Sequence, residues 1–157
     1  MHYQQVFCDQ VFPLRKPVTL TARGSSMWPV ILEGTEALIE PVNPEGLTKG
    51  TLVLIRLQGK LVVHRYWGRL WLGQCSWVIA KGDANGGFDE PVLPDQVLGQ
   101  VTALKTYQGQ TPTDSGWLYW YGRIICASYS FAMIWAGLCR GLLKVQQYWS
   151  GHKVGNS

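Results

Sequence analysis

The sequence of 157 residues is poor in charge, at 15% Asp, Glu, Lys and Arg, and poor in cysteine, with four. Cys8, Cys75, Cys126 and Cys139 make no CxxC pair and no zinc spacing. That pattern excludes a structural zinc site and a disulfide-stapled scaffold. Residues 1–23 hold no apolar run of seven and include Asp9, Arg15 and Lys16, so no signal peptide is legible there. The expected compartment is therefore the cytoplasm, with reduced thiols. Residues 115–157 contain no acidic residue at all.

What is present is apolar and aromatic. Apolar residues make up 46% of the chain, with eight Trp, seven Tyr and four Phe, which excludes disorder and a coiled coil. Eighteen Gly and eight Pro supply the turns that many short strands require. The net charge of +4 comes entirely from Arg123, Arg140, Lys144 and Lys153, because residues 1–114 carry ten bases and ten acids. A neutral body with a basic tail does not spread cations over one face as a nucleic-acid-binding domain would, so no nucleic-acid partner is expected. It suits a membrane-surface or peptide-binding tail better.

Strand-like segments fill the first two thirds of the chain. Residues 36–42, 51–57, 60–67, 70–72, 77–80 and 97–104 alternate with turn formers, and Gln58-Gly59 reads as a two-residue hairpin turn. The texture changes near residues 109–116. The expected organisation is a β-rich domain over residues 1–108, then a linker and an apolar, basic helical segment over residues 109–157. Sixteen uncharged residues separate Arg123 from Arg140. As one helix they would reach about 24 Å, short of the ~30 Å hydrocarbon core. Three readings of residues 117–149 stay open: a buried helix capping the β body, a helix on the membrane surface, and a membrane-spanning anchor.

Three stretches carry chemistry. Gly24-Ser25-Ser26-Met27-Trp28-Pro29 sets a serine in a glycine-containing turn, where it is either an exposed nucleophile or part of an ordinary ST-turn. Lys60-Leu-Val-Val-His64-Arg65 places Val62, His64 and Tyr66 on one strand face, with Val63 and Arg65 on the other. A lone strand histidine is most often structural, so its meaning depends on what lies opposite. Lys81-Gly82-Asp83-Ala84-Asn85-Gly86-Gly87-Phe88-Asp89 offers two carboxylates in a glycine-rich loop, for orienting a base, binding calcium or making Asx-turns. The calcium reading lacks the Asp-x-Asp-x-Asp-Gly rhythm and the closing Glu.

In this order and spacing, Gly-x-Ser-Met-x-Pro, Val-His-Arg and Lys-Gly-Asp-x-Asn with a second Asp resemble the signal peptidase I and LexA-type serine peptidases. The resemblance covers residues 23–104. Histidine in place of lysine resembles the archaeal and eukaryotic signal peptidase branch. The resemblance implies a mainly β fold, an antiparallel β catalytic body followed by the C-terminal apolar helical segment. It implies Ser26 as nucleophile, His64 as base and Asp89 as the acid orienting the histidine, with Gly24, Met27, Pro29 and Asp83 supporting the site.

The chemistry suits those roles. A serine hydroxyl needs a positioned base, and an imidazole, ordinarily titrating near 6.5, can serve at neutral pH. A carboxylate on its other nitrogen fixes the tautomer. Lys60 lies four residues from His64, about 13 Å along the strand, and cannot take its place.

The chain departs from the family at three points. Gly34-Thr35 stands where Gly-Asp is common, a loss expected to loosen that turn. Gly24 stands where signal peptidases carry a serine that helps bind the oxyanion. No membrane span precedes Ser26. The expectation is a serine endopeptidase that trims a precursor peptide or protein, without metal or other cofactor. The alternative is a non-catalytic peptide-binding module on the same fold. LexA-like self-cleavage is disfavoured, because no helix-turn-helix domain fits into 23 residues.

Overall fold

The computed structural model describes residues 16–107 and 109–153, with side chains through Gln147. The expectation about a leader in residues 1–15, and Cys8, lie outside the described residues. Seven strands run in chain order: β1 (Val18–Thr21), β2 (Glu36–Glu40), β3 (Leu52–Leu57), β4 (Lys60–Leu72), β5 (Cys75–Lys81), β6 (Val97–Thr106) and β7 (Gly109–Pro112). Two helices follow, α1 (Gly116–Ala127) and α2 (Tyr129–Lys153). All strands belong to one antiparallel sheet ordered β1-β2-β6-β3-β4-β5, with β7 on the far half of β6. The architecture is mainly β with two C-terminal helices.

The run Leu52-Val-Leu-Ile55 is apolar without alternation because β3 is covered on both faces. Leu52 and Leu54 pack with Met27, Ile39 and Val101 in one core. Val53 and Ile55 pack with Tyr66, Val78 and Val97 in another. On the neighbouring β4 the expected alternation holds, with Leu61 and Val63 against the first core and Val62 and Tyr66 in the second. Gln58 and Gly59 both adopt positive φ, at 48° and 74°, as the two-residue hairpin joining β3 to β4 demands.

Two expected boundaries shift. Residues 60–67 and 70–72 form a single strand, β4, because Gly68 pairs with Ile79 and the bulge at Trp67 shifts the register without ending the pairing to β5. The sheet also continues past residue 108, since β7 pairs Gly109–Pro112 with β6. β7 lacks the alternation that would have announced it, and β1, Val-Thr-Leu-Thr, alternates over only four residues.

The apolar C-terminal segment is two helices rather than one, bent by 115°. Ser128 is the break. Its backbone is extended, its carbonyl accepts from Ala132 N–H at 3.1 Å, and its hydroxyl accepts weakly from Phe131 N–H at 3.5 Å. Ser128 thus opens α2 as an N-cap. Helix α1 lies against the sheet where Gly50 and Gly122 meet: a Cβ on Gly122 would stand 2.6 Å from the Gly50 carbonyl oxygen. Any larger residue at either position would push the helix off. Leu118 enters the first core, while Ile125, Cys126 and Ala132 pack on Trp67.

Candidate active site

Ser26 lies in the turn between β1 and β2, just before Met27 enters the first core. The turn is tied at both ends. Ala22 N–H donates to the Thr35 carbonyl at 2.8 Å, and Gly34 N–H donates to the Ala22 carbonyl at 3.0 Å. These backbone bonds close the turn at Gly34-Thr35, where a loosening was expected. Gly24 turns the chain at φ +87°, and the Trp28–Pro29 peptide bond is cis.

The loop after β5 packs directly behind the serine. Ala84 N–H donates to the Ser26 carbonyl at 2.9 Å, and a Cβ on Gly82 would stand 2.8 Å from that oxygen. Only glycine allows this approach. The same loop then returns to the sheet, with Asp89 N–H donating to the Ala80 carbonyl at 3.0 Å.

These anchors bring Ser26, His64 and Asp89 into one hydrogen-bonded chain. His64 Nε2 is 3.1 Å from Ser26 Oγ, and His64 Nδ1 is 2.5 Å from Asp89 Oδ2. A carboxylate only accepts, which assigns the proton to Nδ1 and leaves the Nε2 lone pair facing the serine hydroxyl. His64 is buried, so the pair is shielded from water. The arrangement can take a proton from Ser26 and hold the imidazolium that results.

Asp83 is not part of this chain. It faces Arg65, the next residue on β4, in a bidentate pair with contacts of 2.8 Å from Nε and 2.6 Å from Nη2. Arg65 Nη1 donates to the Gly50 carbonyl at 2.7 Å, and its guanidinium stands 5.2 Å from the Tyr121 ring centre. Burial favours the neutral guanidine, but the Asp83 charge and hydrogen bonds outweigh it and hold Arg65 above its ordinary value. Asp83 thus supports the site by fixing the 82–89 loop to β4 and, through Arg65, to α1. The motifs place Arg65 on the face opposite His64 but name no partner for it. Its signal was present, an arginine beside the histidine and a spare carboxylate in the loop.

Two more features were not legible. Lys81 is buried and donates to the Gly82 carbonyl at 3.1 Å. Burial pushes its ammonium below the ordinary lysine value, against the charges of Asp83 and Asp89. Phe88, the residue before Asp89, lies edge-on to Trp67 and stacked on Tyr129, each with ring centres 5.1 Å apart. Helix α2 therefore clasps the loop that carries the acid.

Two clefts meet at the nucleophile turn. One, of about 410 Å³, is lined by Leu20, Met27, Ile31, Leu54, Leu61 and Val63 and opens at Ser26. The other, of about 610 Å³, lies between Ser25, Trp28 and Glu33 on one side and Leu143 and Gln147 of α2 on the other. Among the described residues, no three His, Cys, Asp or Glu side chains stand close enough to hold a metal ion. No family model matches the chain, and no curated protein matches it in sequence.

Proposed function

We propose that the chain is a serine endopeptidase of the signal peptidase and LexA type, cleaving a precursor peptide or protein. The observation that carries the reading is the Ser26–His64–Asp89 chain, with its 3.1 Å and 2.5 Å contacts, at the mouth of an apolar groove. A serine, an imidazole and a carboxylate in sequential contact do more than binding requires, which disfavours the peptide-binding module. The antiparallel sheet, with the serine turn between its first two strands, is compatible with the family fold.

In the proposed reaction, Ser26 Oγ attacks a substrate carbonyl carbon as its proton passes to His64 Nε2. Asp89 stabilises the imidazolium. Protonated His64 then delivers that proton to the leaving amine, and an ester on Ser26 remains. Water then attacks the ester as its proton passes to the same imidazole, and His64 returns that proton to Ser26 Oγ as the carboxylic acid product leaves. The groove lined by Leu20, Leu54 and Leu61 favours an apolar side chain beside the scissile bond. The cleft against α2 gives the departing segment a path.

A fluorophosphonate probe tests the reading. One label per chain is expected on Ser26, with labelling and peptide cleavage both reduced at least about 10³-fold in Ser26→Ala at an unchanged melting temperature. Labelling that persists in Ser26→Ala would overturn the assignment.

A further inference from the structure

Helices α1 and α2 bury one apolar face and expose another. On α2, Ala132, Ala136 and Cys139 are buried. Phe131, Ile134, Leu138, Leu142 and Val145 form a second stripe at spacings of three and four, about 130° around the helix. These five are 44–65% exposed. Trp117, Trp120 and Ile124 make an exposed stripe on α1, 56–63% exposed. A surface facing only water seldom gathers this many large apolar side chains.

The charges around the stripes select the occupant. Among the described residues the two helices carry Arg123 and Lys144 exposed to solvent, Arg140 turned onto the 82–89 loop, and no acid. A second copy docked on the same face would set these cations against one another. An anionic headgroup layer would neutralise them, while the Trp rings suit its interfacial depth. Among the described residues, no single helix is long and apolar enough to cross a membrane, and the pair is bent by 115°. A 12-residue and a 25-residue helix joined at such an angle suit a position in the interface plane.

We infer that the α1–α2 pair is a docking face for an anionic lipid bilayer, its stripes lying at the headgroup–acyl boundary. The face is joined to the candidate site through the Phe88–Tyr129 stack and through Arg140. The Arg140 guanidinium packs so tightly on the 82–89 loop that a Cβ on Gly86 would stand 2.7 Å from it. Docking thereby holds the nucleophile turn near the bilayer surface. The inference does not rest on the peptidase reading, because Ser26→Ala should bind vesicles as the parent protein does.

The test uses the full chain with phosphatidylcholine vesicles, made with or without phosphatidylglycerol. Co-sedimentation is expected with the anionic vesicles, weakening but not vanishing as salt rises. The triple variant Ile134→Gln/Leu138→Gln/Leu142→Gln should lose at least about tenfold in partitioning while keeping its circular dichroism and melting temperature. Lys144→Gln should weaken binding two- to fivefold, roughly, at low salt only. Brominated lipid should quench the parent protein and quench Trp117→Phe/Trp120→Phe far less, which keeps the test decisive if the triple variant fails to fold. Absence of quenching or sedimentation would overturn the inference. So would a dimer that dissociates in the triple variant, or recovery from membranes only with detergent.

Discussion

Adjacent residues of β4 treat their acids in opposite ways. His64 and Arg65 each take a carboxylate from the same loop, yet the two pairs differ in kind. Asp89 touches a group that can gain and lose a proton, and that group touches Ser26. Asp83 touches a guanidinium that stays charged, with side chains on both sides of the pair 1% exposed. The first pair is open to the serine and its groove. The second is sealed under α1. The difference teaches that a carboxylate's role follows from its partner's chemistry: a titratable partner makes a working pair and a permanent cation makes a strut.

The largest effect that could break this contrast concerns stability. Asp83→Asn should cost about 3–5 kcal/mol, because it strands a buried guanidinium without its counter-charge. Urea unfolding measures it. The double variant Arg65→Met/Asp83→Leu should recover part of the loss, since no charge is then left unpaired. If Asp83→Asn melts normally but is inactive, the two acids have exchanged roles.

Asp89→Asn should show the converse. Turnover is expected to fall by about 10²–10⁴, with the melting temperature close to the parent, because an amide can favour the wrong histidine tautomer. The kinetic loss should fall mainly on kcat, since the carboxylate acts on the base and not on substrate binding. A silent Asp89→Asn would remove the working pair from the mechanism.

The smallest effect concerns how dry the Arg65 face is. Burial pushes the Cys126 thiol from 9.0 up to about 11, opposed by the Arg65 charge. Because the folded value is raised, the folded state holds this proton where the unfolded chain releases it. The contribution is full below pH 9 and is lost as the pH rises from 9 toward 11. Urea unfolding across that window should show stability falling by up to roughly 2–3 kcal/mol from this group. Cys126→Ala should flatten the slope. An unchanged slope would mean that water reaches the thiol.

Local pattern sufficed wherever one residue type has one structural use. The unbroken apolar run at Leu52-Val-Leu-Ile55 announced a strand, and Gln58-Gly59 announced its hairpin. The three motifs also singled out Ser26, His64 and Asp89, which the fold gathers into one chain. The roles of Asp83 and Asp89 were harder. Both are aspartates in one glycine-rich loop, and no local signal says which will meet histidine and which arginine. That depends on how the loop folds back between Ala84, held by the Ser26 carbonyl, and Asp89, held by the Ala80 carbonyl.

The sequence by itself determined most of the long strands and the reactive side chains, because strand patterning, turn chemistry and proton-transfer groups are properties of neighbouring residues. Only the tertiary structure decided the rest. It ended the apolar tail's first helix at Ser128, sealed Arg65 beneath α1, and clasped Phe88 between Trp67 and Tyr129. Each of these contacts joins residues far apart in the chain or turns on a backbone angle. Its energy exists only once the sheet has curled and the helices have packed upon it.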